Sequence, residues 1–548
     1  MADTVANSEK PSRFSIIGRA RQLLRLPVDD PQASTKPVLL NYRRPAIGRL
    51  VGWLLIIGLG AASLLYGYYF AANAPRLIMP FTVPLVILAV LTIWALPTGE
   101  YAPTRLMGSF YWAFFVAFIV WPNYLAVALP GLPWMTFARI TGVPMVILML
   151  ISLSVSRGSR QALYENLTDI SIVWKMLVAY EVLTVLSIAI SSLPLVSINK
   201  VIVEQLTQTA MFFMSCYIFR KEGRLETWVY CLLGTVFFVC LLGFWEEKLG
   251  YLPWAGHIPP FLKVADDTVT RILAGGSRSA TGIHRISSVQ TTPLGLAELV
   301  GLTAPFALHL AVGKYPVVVR VLAFLLIPVF IEAVSLTDAR LGFVAMLVAG
   351  SLYLLLRSVV QWREVRSSIF GPAIVLSYPV IFCALVSATF LIGRVRGKVW
   401  GNGSQAASND ARKAQWRMGI PKVIHDPIGH GYGQAGNALG YYNAGGIGTI
   451  DSYYLSLLLD TGILGFGLYL GMFLGSAWVA ATTVIKTPGT REMRLLMPLS
   501  VSLVAFIVVK GVLSQDANHP LVFMMMGAIA AMVHRAKNQA RDAAVARH

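Results

Sequence analysis

The chain has 548 residues, of which 56% are hydrophobic and only 13% charged, with a formal net charge of +19. Soluble domains carry roughly 25% charged residues, so these proportions exclude a soluble enzyme of ordinary surface. So apolar a chain also has ample surface to bury, which excludes disorder. A polytopic membrane protein remains, with basic residues that face anionic lipid or an anionic substrate.

Residues 1–48 are polar and basic, with Arg13, Arg19, Arg21, Arg25, Lys36, Arg43 and Arg44 and no apolar stretch. They read as a cytoplasmic arm, either lying on the anionic leaflet or loose, and not as a cleavable signal. A span needs roughly 17–25 apolar residues, and about fourteen such runs follow. They lie near 49–70, 77–97, 106–128, 134–155, 171–193, 201–219 and 226–245, then 292–313, 317–336, 341–357 and 370–393, and finally 462–485, 495–513 and 518–534. Cys216, Cys231, Cys240 and Cys383 all fall inside apolar runs, where they act as small hydrophobes.

Basic residues in short loops orient such a chain. With the N-terminus inside, the inner loops hold Arg157 and Arg160, Arg220, Lys221 and Arg224, Arg357, Arg363 and Arg366, and Lys486, Arg491 and Arg494. The tail adds Arg535, Lys537 and Arg541. Both termini are therefore expected in the cytoplasm. The division that follows is an arm over 1–48, transmembrane helices over 49–245, an outer loop over 246–291 and helices over 292–393. A large outer loop with a substrate-site helix spans 394–461, helices return over 462–534, and 535–548 is a cytoplasmic tail. The large loop carries Arg394, Arg396, Lys398, Arg412, Lys413, Arg417 and Lys422, so an anionic substrate at the outer face is its natural partner. Nucleic acid is not expected, because these basic loops are flanked by membrane.

The chemistry concentrates in a few outer segments. In SNDARKAQWRMGIPKVIHDPIGHGYG, Ser408 or Asn409 can cap a helix that Pro421 limits to about three turns. On it Arg412 and Trp416 are four apart, as are Lys413 and Arg417, joining phosphate-binding forks to an aromatic platform. The other reading is an amphipathic helix resting on headgroups. Gly429-His430-Gly431-Tyr432-Gly433 permits close backbone approach to a ligand or another strand. Asp451 precedes an apolar helix, either as its N-cap or as a general base at the membrane mouth. Arg340 with adjacent Asp338, and Arg285 before a span, bring further charge to the same level, as snorkelling side chains or as phosphate clamps. Lys175, Glu181, Glu204, Glu298, Glu332 and Lys510 lie within apolar runs, and sequence alone cannot pair them. No HxxxH, DxD or Cys/His cluster is present, so neither a metal nor a cofactor is expected.

ARKAQWRMGIPKVIHDPIGHGYG followed by DSYYLSLLLDTGILGFGLYLG, with TDARLGFVAMLVAG and HRISSVQTTPLGLAELV upstream, resembles the bacterial O-antigen ligase and O-antigen polymerase superfamily over about 285–475. The resemblance implies an all-α, GT-C-like membrane enzyme that is inverting and metal-independent. Such an enzyme moves a glycan from undecaprenyl diphosphate to an acceptor hydroxyl at the periplasmic face of the inner membrane. It further implies that Arg285 and Arg340 hold the diphosphate and stabilise the leaving group. Arg412, Trp416, Arg417, His430, Tyr432 and Asp338, read from the residues themselves, are the expected substrate contacts, with His430 also a spare candidate base. Chain-length regulators and export proteins are the implied protein partners. The family carries a histidine, usually followed by asparagine, where this chain has Asp451-Ser452, so a carboxylate replaces an imidazole as the expected base. That departure favours an exopolysaccharide or O-antigen polymerase over a ligase acting on lipid or protein. A lipid-linked oligosaccharide flippase is the reading from another class, but the expected related halves are missing from the sequence.

Overall fold

The computed structural model describes residues 102–127, 135–264, 284–367, 369–393, 406–442, 448–487 and 489–545, with shorter pieces between 53 and 99 and single positions at 270, 273 and 396. The basic arm over 1–48, and much of the apolar runs 49–70 and 77–97, lie outside these residues. The first half of the described chain holds α1 (Thr104–Val120), α2 (Phe137–Val155), α3 (Arg157–Asp169), α4 (Ser171–Ser187), α5 (Pro194–Glu204), α6 (Ala210–Ile218) and α7 (Arg224–Leu249). Then come α8 (Pro293–Val312), α9 (Val317–Leu336), α10 (Arg340–Glu364), α11 (Phe370–Leu391), α12 (Ala406–His425), α13 (Ala435–Leu439), α14 (Tyr453–Lys486), α15 (Leu496–Lys510) and α16 (His519–Val545). Among the described residues, nine helices are long and apolar enough to cross a membrane, namely α2, α4 with its following turn, α7 to α11, α14, and α15 with its lead-in turn. The protein is an all-α polytopic membrane protein, with one small antiparallel sheet of β1 (Leu125–Val127), β2 (Met135–Thr136) and β3 (Leu262–Val264).

The chain divides into two units. The first comprises Met1–Trp112, Pro130–Leu132 and Val143–Ala162. Within it the Gly99 N–H donates to Val155 O at 2.9 Å, and the Arg160 guanidinium caps the carbonyls of Leu153 and Ser154 at 2.6 and 2.9 Å. The second comprises Ala113–Leu129, Pro133–Gly142 and Leu163–His548, and everything that follows lies in it.

Burial separates the helices of this second unit by role. The most apolar windows of α8 and α15 are each 78% buried, whereas that of α11 is 6% buried. An apolar helix left so exposed is in its proper place only against lipid. α8 packs on α9, α10 and α15, and α15 packs on α14. At one end, α7, α9 and α15 finish where α8, α10, α14 and α16 begin. There Ile286 N–H donates to Leu336 O at 3.3 Å, Ser452 Oγ to Gly511 O at 3.1 Å and Asn518 Nδ2 to Gly295 O at 2.9 Å. The opposite end is tied by ion pairs, Arg491–Glu226 at 2.7 Å, Arg494–Glu364 at 2.8 Å, Arg535–Glu492 at 3.0 Å and Lys537–Asp169 at 3.0 Å.

α14 begins nine residues before the apolar run expected at 462, and it is broken at Gly462, whose φ is 70° and ψ −169°. The break exposes carbonyls that the 427–434 loop satisfies. His430 N–H donates to Leu459 O at 2.8 Å and Gly431 N–H to Asp460 O at 3.1 Å, while Ile463 N–H donates to Pro427 O at 3.0 Å. At Gly462 an added Cβ would stand 2.0 Å from Pro427 O, so only glycine closes the junction.

Candidate active site

The site is built where the ends of α7, α9 and α10 meet α12 and the entry to α14. Its first part is the 284–290 segment, which has no regular structure of its own and is organised by a buried carboxylate. Glu246, near the end of α7 and fully buried, accepts the N–H of Ser287 at 3.0 Å, the N–H of Ser288 at 2.6 Å and His284 Nε2 at 3.1 Å. Ser288 is held at φ 51° and its hydroxyl donates to Val239 O at 2.8 Å. This folding of the turn carries Arg285 to the end of α9, where Nε donates to Thr337 O at 2.7 Å and a terminal nitrogen to Asp338 O at 3.4 Å. Asp338, at φ 47°, thus serves Arg285 through its main-chain carbonyl.

Arg340 opens α10 and reaches across to α12, donating to Asn409 Oδ1 at 3.3 Å. Arg412 donates to the same oxygen at 3.4 Å. One carboxamide therefore gathers two guanidinium groups. Asn409 lies inside α12, which starts at Ala406, so the cap expected of Ser408 or Asn409 is not what Asn409 provides. α12 also runs on through Pro421 to His425, against the expected limit. Proline removes one N–H from the ladder, and here it sits on the exposed side of the helix, where the carbonyl left over is not sealed in the packing.

The inward face of α12 is Gln415, Trp416, Gly419 and Val423, and its outward face includes Lys413 and Arg417. Trp416 packs on a cluster formed by Val423, Ala435, Leu439, Leu455 and Leu459. The expected strip of cations with an aromatic platform is consequently divided. Arg412 stands on the site side, Trp416 is part of the packing beneath, and Arg417 is exposed.

Asp451 is held by Gln415, which accepts the Asp451 N–H at 2.9 Å and donates to Oδ2 at 3.4 Å. It does not cap α14, whose N-cap is Ser452 and has no side-chain cap bond. The correction has a simple cause, since Gln415 already engages both the backbone and the side chain of Asp451. The Arg412 guanidinium is drawn below its ordinary range by partial burial, opposed by the nearby charge of Asp451. Arginine is basic enough to remain a cation through such a shift.

His430 and Tyr432 belong to a neighbouring cluster and not to this chain of contacts. His430 Nδ1 is 3.2 Å from Leu459 O and Nε2 is 3.5 Å from Asp426. Tyr432 is buried, with its N–H donating to Ser187 Oγ at 3.0 Å and the Lys200 ammonium 4.7 Å from its ring centre. The glycine run serves this loop by close approach to other backbone. At Gly431, φ 100°, an added Cβ would stand 2.6 Å from Ser191 Cα. The two clusters are joined by the first turns of α14, which carry Asp451 at their start and Asp460 about 13 Å along at 1.5 Å per residue.

Sequence reasoning misses Glu246, Gln415 and Lys200, and reaches Asn409 only as a helix cap, not as the acceptor of two guanidinium groups. A glutamate closing an apolar run is the only signal for Glu246, and nothing local marks Gln415. Of the charges within apolar runs, Lys510 pairs with Glu298 at 2.9 Å, and Glu181 accepts from Thr209 Oγ1 at 2.7 Å and from Gln205 Nε2.

Arg340 and Arg412 share Asn409, Arg412 lies in electrostatic reach of Asp451, and Arg285 is tied to the Thr337–Asp338 turn that precedes Arg340. Fixed cations can hold a diphosphate and stabilise it as it departs, and a positioned carboxylate can accept a proton. No curated protein matches the chain. The family model described as O-Antigen ligase matches residues 321–470, a segment that contains Asp338, Arg340, all of α12 and Asp451. Over that segment, which holds most of the site, the chain is similar to the O-antigen ligase family.

Proposed function

We propose that the protein polymerises undecaprenyl-diphosphate-linked oligosaccharide repeat units at the periplasmic face of the inner membrane. The observation that carries this reading is the gathering of Arg340 and Arg412 on Asn409, with Asp451 fixed by Gln415 in reach of Arg412. Arg285, Arg340 and Arg412 hold the donor diphosphate, whose charge matches theirs. Asp451 takes the proton of the acceptor hydroxyl as that oxygen bonds to the anomeric carbon. The bond from that carbon to the diphosphate oxygen breaks on the opposite face, which inverts the centre. The electron pair leaves with the diphosphate, and the arginines stabilise it there. No step in this scheme calls for a metal.

Purified protein incubated with a synthetic lipid-linked repeat unit tests the reading, and a ladder of products is the expected result. Arg340→Ala and Asp451→Asn should each remove the ladder while leaving the protein folded. Normal ladders from a well-expressed Arg340→Ala protein would refute its assigned role. The description of the matching family favours a second reading, transfer of a finished glycan by a ligase. A single transfer to a lipid acceptor with no ladder would select it.

A further inference from the structure

Beside the arginine site, the second unit encloses a group of buried polar atoms that the mechanism above does not use. Tyr180 OH on α4, Gln208 Oε1 in the π-turn Gln205–Thr209 and Glu204 Oε2 at the end of α5 are buried without a hydrogen-bond partner. The Glu204 carboxylate also meets the Tyr432 hydroxyl, and Asp516 Oδ1 before α16 has no hydrogen bond, with His519 Nδ1 beside it at 3.6 Å. Tyr180, Glu204 and Gln208 are each at least nine-tenths buried. Tyr180 lies in electrostatic reach of Glu204 and Asp516, and Glu204 in reach of Asp516 and Lys200, so these groups from separate elements gather in one region, with Gln208 one helical turn beyond Glu204. Buried polar atoms left unpaired are costly, and several converging on one place mark a position that water or a ligand completes.

Part of this group is open to solvent. The Lys200 side chain keeps 37% of its surface accessible although it touches Asp460 at 3.9 Å and the Tyr432 ring, and that of Asp516 keeps 36%. The unpaired atoms are mostly acceptors, with a tyrosine hydroxyl and an ammonium as donors. Carboxylates outnumber cations here, since Glu204, Asp460 and Asp516 surround Lys200. A diphosphate is repelled from such a place, whereas a sugar, which presents many hydroxyl donors and ring oxygens, satisfies it. Gln208 is the buried residue of a π-turn, a departure from the regular helix common at functional sites.

We propose that the pocket lined by Tyr180, Lys200, Glu204, Gln208, Tyr432 and Asp516 is a glycan subsite, which grips a sugar of the oligosaccharide remote from the reacting hydroxyl. The proposal rests on the glycosyl-transfer reading for the source of that glycan, but the binding itself does not require turnover. The two sites sort the substrate by charge. The arginines take the diphosphate, and the acceptor-rich pocket, about 13 Å along the first turns of α14, takes a hydroxyl-rich sugar. Gripping a remote sugar fixes which hydroxyl reaches Asp451, so the pocket sets the register of transfer.

Saturation-transfer NMR on the full-length protein in nanodiscs tests this. The probe is the oligosaccharide released by mild acid from the source cells' own surface glycan, free of lipid and diphosphate. The wild type is expected to transfer saturation to the sugar ring protons. Asp516→Asn and Tyr180→Phe should each weaken binding by about tenfold, the scale of one hydrogen bond, with thermal unfolding within a few degrees of wild type. Arg285→Ala and Arg340→Ala should bind the free sugar as wild type does. No saturation transfer to the wild type, or equal binding by folded Asp516→Asn and Tyr180→Phe proteins, overturns the subsite. Sugar binding lost in the arginine variants instead also overturns it, by placing the sugar in the other cluster. Sugar binding by a protein that makes no product from the lipid-linked unit supports the subsite and rejects the transfer reading.

Discussion

Replacing Glu246 by alanine should disorganise the turn that carries Arg285, and the cost can be worked from its bonds. The carboxylate accepts the N–H groups of Ser287 at 3.0 Å and Ser288 at 2.6 Å, both on residues that are almost fully buried. Each buried donor left without an acceptor costs about 1–3 kcal/mol, so the two together cost roughly 2–6 kcal/mol. At 1.4 kcal/mol per tenfold, the lower figure already corresponds to about thirtyfold. Amide hydrogen exchange, read by mass spectrometry on the peptide over 284–290, should therefore accelerate by at least about thirtyfold in Glu246→Ala. Glu246→Gln retains one acceptor oxygen and should fall between the variant and wild type. The consequence for the arginine is indirect, because Arg285 reaches Thr337 O and Asp338 O only while the turn holds. Exchange at wild-type rate in Glu246→Ala would show that packing, not this carboxylate, shapes the turn, and the reasoning would fail.

Other perturbations follow from the same contacts. The bond to Glu246 holds the His284 imidazole above its ordinary value, against the opposing effect of burial. Its contribution to stability is thus complete below about pH 6.5 and is lost as pH rises through the raised value, so the midpoint of thermal unfolding should fall over that window and the fall should flatten in His284→Gln. Gly431→Ala forces a left-handed φ and a Cβ 2.6 Å from Ser191 Cα, and should cost about 1–3 kcal/mol in unfolding measurements. A neutral result there would mean the 427–434 loop can lift away from Ser191. Lys510→Met leaves Glu298 buried and uncompensated and should cost about 3–5 kcal/mol, most of which Lys510→Met with Glu298→Leu should restore. A double variant as unstable as the single one would show that Asn518, not Lys510, is the partner that matters to Glu298.

Sequence alone was enough for the class of the molecule and for the choice of segments. Span length is a property of consecutive residues, so the runs over 171–193, 292–313, 317–336 and 370–393 coincide with helices to within a few positions. Arg285, Arg340, Arg412 and Asp451 could be named because charge at the edge of an apolar run stands out against its neighbours. Which of them meet was decided by pairings across long separations, Arg340 with Asn409 and Gln415 with Asp451, and an amide carries no local signature of its partner. Helix rotation likewise sent Trp416 into the packing and Arg417 outward, although spacing alone put both beside their cations. Glu246 and the buried group around Lys200 are the extreme case, since each acquires its meaning only when segments distant along the chain close around it. Hydrophobic length acts residue by residue along one dimension, while the placing of unpaired donors, acceptors and charges is settled only when all the helices pack together.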